Sequence, residues 1–355
     1  MSAWAPLVPY AKARADLSDG ALGVLLLCIG IGSIASMPAT GALTDRFGCR
    51  NVVTWSSVLL CVSLPLAAEA SSEVALAMAL LLLGASIGAL DVAMNIQAVI
   101  VEKASGRSLM SGFHGLYSVG GIAGAGGVSA LLASGGSPIG ATLTVVGLAV
   151  ALMAMAYRHL LASGSEERGP AFVIPHGPVI FIGILCFIVF LAEGAMLDWS
   201  ALFLTSLQGV SPANGGIGYA GFAVAMTLGR LTGDRIVDSL GRRRVMLLGG
   251  MLAAAGFLTA VVSQTWIVSL LGFVTIGIGC SNIVPVLFTA AGRQTLMPAN
   301  RAVAAISTLG YAGILTGPAG IGFVSQVAGL RTAFAMVAIA LVFVAIGSRR
   351  LPLES

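Results

Sequence analysis

The stretch GALTDRFGCR, residues 41–50, is a short polar run between two apolar segments at 21–43 and 52–69. An α-helix needs about 20 apolar residues to cross the hydrocarbon core of a bilayer, and each segment is close to that length. A charged run between two such segments is typical of a loop at a membrane surface. The stretch therefore predicts two transmembrane helices joined at one face of the membrane.

The composition of the whole chain leads to the same class of protein. Of 355 residues, 57% are hydrophobic and only 9% are charged, whereas a soluble domain carries about 25% charged residues. Because so few charges cannot cover a water-exposed surface, most of the surface must face lipid. The 47 glycines fit this environment, since small residues let transmembrane helices approach closely. We predict an all-α membrane protein.

The sequence carries no pattern typical of a cofactor, metal or nucleic-acid site. The net charge of +4 comes from basic residues spread singly, except for Arg242, Arg243 and Arg244. The five cysteines lie in or beside apolar runs without paired spacing, which is typical of buried thiols. A P-loop is absent, so ATP coupling is not expected. We expect no cofactor, no metal and no nucleic-acid partner, and a monomer embedded in the lipid bilayer.

Eleven stretches are long and apolar enough to be complete spans. Before them, the apolar segment 1–11 is followed by Lys12 and Arg14, but at 1.5 Å per residue it covers only about half of a ~30 Å core. We interpret it as the second half of a first helix, which predicts a twelve-helix design with an incomplete first helix. The predicted complete spans are 21–43, 52–69, 74–101, 109–133, 138–157, 178–206, 214–233, 245–262, 266–292, 302–327 and 332–347.

Lysine and arginine are distributed unevenly over the predicted loops. If the loop 44–51 is cytoplasmic, fifteen of these residues lie on the cytoplasmic side and only Lys12, Arg14 and Arg331 lie outside. Cytoplasmic loops are enriched in positive charge, so this orientation is favoured and places the C-terminus in the cytoplasm. The fifteen are Arg46, Arg50, Lys103, Arg107, Arg158, Arg168, Arg230, Arg235, Arg242, Arg243, Arg244, Arg293, Arg301, Arg349 and Arg350.

The longest polar stretch divides the chain into two halves that resemble each other. We predict an N-terminal bundle at 1–158, a cytoplasmic linker at 159–177 and a C-terminal bundle at 178–355. The run GALTDR at 41–46 corresponds to GRLTGDR at 229–235, and each is followed by a glycine and an arginine. In the same way, Met94-Asn95-Ile96 corresponds to Ser281-Asn282-Ile283. Two parallel repeats are typical of a two-lobed transporter.

In this topology, the run with Gly41, Asp45, Arg46, Gly48 and Arg50 resembles the signature loop between helices 2 and 3 of the major facilitator superfamily. The stretch 229–243 resembles its degenerate second copy. The resemblance implies two pseudo-symmetric six-helix bundles that rock about a central site, in the bacterial inner membrane.

In that superfamily such loops hold the two lobes in one state. The resemblance therefore implies a gating role for the loop that holds Asp45 and for Asp234 and Arg235 in the second copy. The alternative, charges that only set the topology, stays open and fits Arg50 better than Asp45.

A closer resemblance rests on the predicted fourth and fifth helices. The run Asp91-Val92-Ala93-Met94-Asn95, followed by SGFHG at 111–115, is similar to the sugar–proton symporters related to fucose permease. Those proteins carry an acidic residue, a short gap and an asparagine on helix 4, and then a polar run early in helix 5. The resemblance implies a bacterial permease of this branch that works as a symporter.

Ionisable residues inside a span are costly, about 2.5–3.5 kcal/mol at the helix centre, and are therefore informative. Asp91 and Asn95 are four residues apart and share one helical face. By depth in the next helix, His114 is level with Asn95, so the three side chains are expected to converge. A carboxyl removed from water can take up a proton near neutral pH, which predicts a proton-linked site. A polar cluster that only joins two helices is the alternative.

The predicted seventh helix carries two further carboxyl groups. Glu193 is near the middle of the span, beside the small Gly194, and we predict a role in binding or proton coupling. Asp198 is nearer the outer end, where it can also cap the helix or reach water. Trp199 can stack on a sugar face, although a tryptophan near a membrane boundary is more often an interfacial anchor.

Asn282, Tyr117 and Tyr311 complete the set of polar candidates. Amides and phenols in a central cavity would hydrogen-bond a polar solute, whereas bonds between helices are the equal alternative.

The residues together predict a proton-coupled carrier for a small polar solute, with sugars as one class. An efflux carrier and a transport-inactive or sensor-like membrane protein are the alternatives. His114 near Ser111 and Ser118 raises the question of an intramembrane hydrolase. Because no G-x-S-x-G or H-E-x-x-H pattern occurs, we expect no enzyme.

Overall fold

A computed structural model describes residues 2–163, 174–211 and 214–351. In these residues the chain is almost wholly helical. The helices are Val8–Arg14 (α1), Asp19–Glu69 (α2), Glu73–Ser105 (α3), Met110–Ala133 (α4), Pro138–Ala156 (α5), Pro178–Gln208 (α6), Ile217–Leu240 (α7), Arg242–Val262 (α8), Trp266–Cys280 (α9), Ile283–Arg293 (α10), Ala299–Ala328 (α11) and Leu330–Gly347 (α12).

Each predicted span corresponds to a helical stretch. Of the described residues, nine stretches are long and apolar enough to cross a membrane. One of them, α2, has 51 residues, which at 1.5 Å per residue is more than twice a ~30 Å core. Its backbone is non-helical at Gly48, with φ 79° and ψ 157°, so it consists of two helices that account for two spans. The more charged α7 accounts for the predicted span 214–233.

One predicted span, 266–292, is interrupted. α9 ends at Cys280 and α10 begins at Ile283, with a turn at Ser281 and Asn282 between them. Pro285 has no N–H to donate to the Ser281 carbonyl four residues before it, so the sequence carries a signal for this turn that the prediction did not use. Trp266–Arg293 is nevertheless one stretch long and apolar enough to cross a membrane, so the predicted span is confirmed and only the turn within it was not expected.

The first of two compact units comprises Met1–Ile100, Tyr117–Ile174 and Met297–Thr308. In this unit α2 and α3 approach closely, because a Cβ added to Gly84 would lie 2.0 Å from the backbone oxygen of Ile29. The Ser33 hydroxyl donates to the Gly84 carbonyl at 2.8 Å across the same contact. The N-terminal segment is helical, as expected, with a 3-10 turn at Ser2–Leu7 before α1, and its Trp4 side chain is part of the core.

The second unit comprises Val101–Leu116, Pro175–Leu296 and Leu309–Ser355. α8 packs against α9 and α12, and α7 packs against α9. Phe334 of α12 anchors the core, with its ring stacked on Phe203 at 5.0 Å and edge-on to Phe257 at 5.3 Å. Both units draw on both halves of the sequence, so contacts between the halves occur inside each unit.

Two predictions concern residues outside those that the structure describes. The predicted linker 159–177 includes 164–173, and the C-terminal Glu354–Ser355 lies in 352–355. The division into bundles at 1–158 and 178–355 stays a prediction.

Candidate functional site

An ion pair lies in the interior of two helices of the second unit. The Arg230 Nη2 of α7 donates to Glu193 Oε1 of α6 at 3.1 Å, and the side chains are only 8% and 16% exposed. The sequence analysis counted Arg230 among the charges on the cytoplasmic side, next to the loops. The structure corrects this, because Arg230 lies well inside α7 (Ile217–Leu240) and has Glu193 as its partner. Glu193 was predicted as a site residue, but its partner was missed.

The interruption between α9 and α10 lies directly against this ion pair. Arg230 Nε donates to the Ser281 carbonyl at 3.3 Å, and Asn282 Nδ2 donates to the Gly229 carbonyl at 3.1 Å and to Ser281 Oγ at 3.0 Å. Asn282 is buried. Its Oδ1 has no hydrogen-bond partner among the described residues. Ser281 and Asn282 keep φ and ψ in the right-handed helical region, so the interruption is a local turn at which the Ser281 carbonyl accepts from Arg230.

The second unit also holds His114, Tyr311, Trp199 and Asp198, and of these His114 interacts with the ion pair. The His114 ring packs against Phe288 at 5.5 Å and interacts electrostatically with Arg230. The Tyr311 ring lies 6.2 Å from that of Phe190. Trp199 packs where Gly322 has no side chain, whereas Asp198 is exposed.

Asp91 and Asn95 lie on α3 in the first unit. Asn95 is buried and Asp91 partly buried. The Asn95 Nδ2 donates to the Asp91 backbone carbonyl at 2.9 Å, one turn back. The two side chains are adjacent on the helix, as predicted. Because His114 belongs to the other unit, convergence of the three residues stays a prediction. Tyr117, in the first unit, is exposed.

Asp45 binds the first turn of α11, also in the first unit. Arg301 Nη2 lies 2.9 Å from Asp45 Oδ2, and both side chains are buried, at 5% and 8% exposure. Asn300 Nδ2 donates to the other Asp45 oxygen and, at 2.9 Å, to the Gly41 carbonyl. A Cβ on Gly41 would lie 3.2 Å from the Asn300 carbonyl oxygen, so glycine permits this approach. The cluster joins helices from the two halves of the sequence.

The end of the signature loop is tied to the segment after α5. Arg50 donates through Nε and Nη2 to the Leu160 carbonyl at 3.0 and 2.7 Å, and its guanidinium lies over the Tyr157 ring. Gly48 allows the close approach, because a Cβ there would lie 1.9 Å from the Ala162 carbonyl oxygen. Arg50 is therefore a specific contact residue in addition to any effect on topology. Arg46 is exposed and lies over Phe47.

Asp234 of the second unit binds the start of α4. Its Oδ1 and Oδ2 accept the backbone N–H groups of Ser111 and Gly112, both at 2.9 Å. Asp234 lies past the predicted span 214–233, and burial raises the pKa of its carboxyl more than these two hydrogen bonds lower it. A carboxylate at a helix N-terminus satisfies free amides and is favoured by the helix dipole. Arg235, beside it, is exposed.

Glu102 completes the cap of α4 and was missed by the sequence analysis. Its Oε2 accepts the N–H groups of Leu109 and Met110 at 2.8 and 2.9 Å, while Thr289 of α10 donates to Oε1 at 2.6 Å. Glu102 is 2% exposed. The only available signal was a carboxyl group eight residues before the helix start at Met110, which is weak because the intervening turn sets the geometry.

Comparison with known proteins agrees with this architecture. The family model described as Major Facilitator Superfamily matches residues 1–236 and 182–354. The chain belongs to this superfamily. An uncharacterized transporter of the superfamily from Yersinia pestis is 57% identical to it, over 98% of this chain and 91% of the relative. An uncharacterized transporter of Sinorhizobium fredii is 31% identical, over 98% of this chain and 93% of the relative.

The fold of this superfamily member also matches solved structures. A crystal structure of the fucose:proton symporter of E. coli superposes with a TM-score of 0.80, covering 98% of this chain and 94% of the symporter. The identity is 16%, so this likeness shows the fold and leaves the substrate open.

Proposed function

We propose that this protein is a secondary active transporter that moves a small polar solute across the bacterial inner membrane, coupled to protons, by alternating access. The observation that carries the proposal is the Glu193–Arg230 ion pair at the interruption of α9 and α10. Charges inside a membrane protein are costly and typically mark a solute or ion path. The turn at Ser281 and Asn282 adds the Ser281 carbonyl, which accepts from Arg230, to this buried polar region.

The carboxyl groups inside spans support proton coupling. Asp91 on α3 and Glu193 on α6 lie far from their helix ends, and each can hold or release a proton as its surroundings change. The fucose symporter that shares the fold is named as proton-coupled, which agrees with the proposal. His114 interacts with Arg230 in the same region and is a candidate to contact the solute.

Two contact clusters support the gating step. The Asp45 cluster holds α2 to α11, and Asp234 with Glu102 holds α7 and α10 to the start of α4. Each cluster joins helices from the two halves of the sequence. In alternating access the two halves move against each other, so both clusters must form in one state and break in the other. The distribution of Lys and Arg assigns these clusters to the cytoplasmic face.

The proposal is tested with purified protein in liposomes that contain a pH-sensitive dye. Neutral sugars, polyols, sugar acids and amino sugars are added outside one at a time. A solute that is carried with protons changes the internal pH, and protein-free liposomes give the control. No response to any solute, with folded protein in the membrane, would favour the transport-inactive or sensor-like alternative. Efflux is separated by loading the solute inside.

A further inference from the structure

Arg230 requires an anionic partner wherever it is removed from water. Its guanidinium stays protonated in proteins. In the structure it is 8% exposed, and the Ser281 carbonyl supplies only a partial negative charge. Leaving one member of a buried ion pair alone costs about 3–5 kcal/mol. Whatever else changes in this region, a negative charge must remain beside Arg230.

Glu193 meets this requirement with a contact that can be exchanged. Arginine and carboxylate often form two parallel bonds of about 2.7–2.9 Å. Here a single bond of 3.1 Å is formed, through Oε1 alone, and it is the only hydrogen bond of Glu193 among the described residues. The Glu193 side chain is also 16% exposed, so it is not fully enclosed by protein.

We propose that Arg230 is the residue that binds a carboxylate group of the transported solute, in exchange for Glu193. Glu193 takes up a proton as it leaves, so that one positive and one negative charge remain in the region before and after. The solute is then a small hydroxylated organic acid, such as a sugar acid, carried together with a proton. This inference rests on the proposed transport function and adds to it the chemical class of the solute.

The neighbouring groups fit a hydroxylated acid. Gly233 lies one turn along α7 from Arg230, and its missing side chain makes room for the Asn282 amide, whose Oδ1 would lie 1.8 Å from a Cβ there. The buried Asn282 Oδ1 points to this position and has no hydrogen-bond partner among the described residues. An unpaired acceptor in a buried site is costly, and a hydroxyl group of the solute would supply the missing donor.

The titratable groups around the pair come from several helices. Tyr219 of α7 and Cys280 of α9 interact electrostatically with Glu193, and His114 of α4 with Arg230. Asp198 lies on the same helix as Glu193. The charged residues of the other helices packed nearby, Arg293 of α10, Arg301 of α11 and Arg331 of α12, lie at helix ends. Glu193 is thus the carboxyl group in direct contact with Arg230.

The test measures thermal unfolding of the purified protein with matched probes, D-glucuronate and D-glucose, which differ in one carboxyl group, and with acetate. For the wild type, glucuronate should raise the unfolding temperature while glucose does not. The half-saturating glucuronate concentration should fall as the pH falls, by up to about tenfold per pH unit, because one proton is taken up on binding. In Glu193→Gln, acetate and glucuronate should both stabilise, without this pH dependence. In the double variant with Glu193→Gln and Arg230→Gln, neither acetate nor glucuronate should raise the unfolding temperature.

A static ion pair that only joins α6 and α7 gives a different result. Glu193→Gln and Arg230→Gln, each made alone, would then lower the unfolding temperature. Neither acetate nor glucuronate would restore it, and that result would overturn the inference. Equal stabilisation of the wild type by glucose and glucuronate would overturn it as well, and that arm needs no variant to fold. A neutral sugar that moves protons in the liposome assay, with Arg230→Gln unaffected, refutes only this inference. A lack of any solute response refutes the transport function itself.

Discussion

Gly48 and Gly241 adopt nearly the same backbone conformation, with φ 79° and ψ 157° at one and φ 78° and ψ 149° at the other. Each glycine separates two helices at the corresponding place in its half of the sequence. Counted back from these glycines, Asp45 corresponds to Asp238, and Asp234 corresponds to Gly41. Sequence similarity pairs Asp45 with Asp234, whereas the positions of the two glycines pair Asp45 with Asp238. The two pairings differ by four residues, about one helical turn. The two loops bind their partner helices from different positions.

These glycines give a matched pair of substitutions. A side chain is disfavoured at both, by about 1–3 kcal/mol, because this region of φ and ψ is almost restricted to glycine. A Cβ at Gly241 would meet nothing within 4 Å, whereas at Gly48 it would lie 1.9 Å from the Ala162 carbonyl oxygen. We expect Gly48→Ala to lower the unfolding temperature clearly more than Gly241→Ala. Equal losses would contradict the tight contact of Gly48 with the segment after α5.

The Asp45 cluster should bias the protein towards the state seen here. Asp45→Asn removes the anion beside the buried Arg301, which costs up to about 3–5 kcal/mol in the state where the cluster is formed. A change of that size can reverse a two-state equilibrium. We expect distances between spin labels on the two bundles to shift to the other state, while solute affinity is retained. Unchanged distances would refute the gating role, and Glu73→Gln, at an exposed carboxyl group at the start of α3, provides the control.

The sequence predicted the helices well because apolar length is a direct consequence of the bilayer. The resemblance to the signature loop singled out Gly41, Asp45 and Asp234, and the structure places them in contacts between helices, while their gating role stays a prediction. The sequence analysis missed the partners Arg230, Glu102, Asn300 and Arg301, because these contacts join helices that are distant in the chain. The turn at Ser281 and Asn282 was missed although Pro285 signals it, because the donors that satisfy it, Arg230 for the Ser281 carbonyl and Asn282 for the Gly229 carbonyl, join different helices.

The α4 cap should give a small pH dependence of stability. Burial raises the pKa of Asp234, so the folded state binds this proton more tightly than the unfolded state. The contribution of Asp234 to the free energy of unfolding therefore rises as the pH falls through the raised pKa, and falls as the pH rises. Asp234→Asn removes the titrating group. The stability difference, wild type minus variant, should be larger at about pH 5 than at about pH 7.5.

A stability difference that is constant over this range would contradict the argument for Asp234. Glu73→Gln, at an exposed carboxyl group at the start of α3, serves as the reference variant.

Asp91 is predicted to couple the proton gradient to solute movement. Asp91→Asn cannot exchange a proton, so accumulation against a concentration gradient should be lost. Exchange of labelled for unlabelled solute should persist, because that reaction needs no net proton movement. Thermal unfolding of the variant shows whether it is folded. Full accumulation by the variant would exclude Asp91 as the coupling residue.

The central claim is proton-driven transport, and one measurement tests it most directly. The solute that gives a proton signal is supplied in radiolabelled form to liposomes with the wild-type protein, with and without an imposed pH gradient, acidic outside. We predict accumulation above the external concentration only with the gradient, and its collapse when a proton carrier is added. Accumulation that is equal with and without the gradient, or none in either case, would contradict the account.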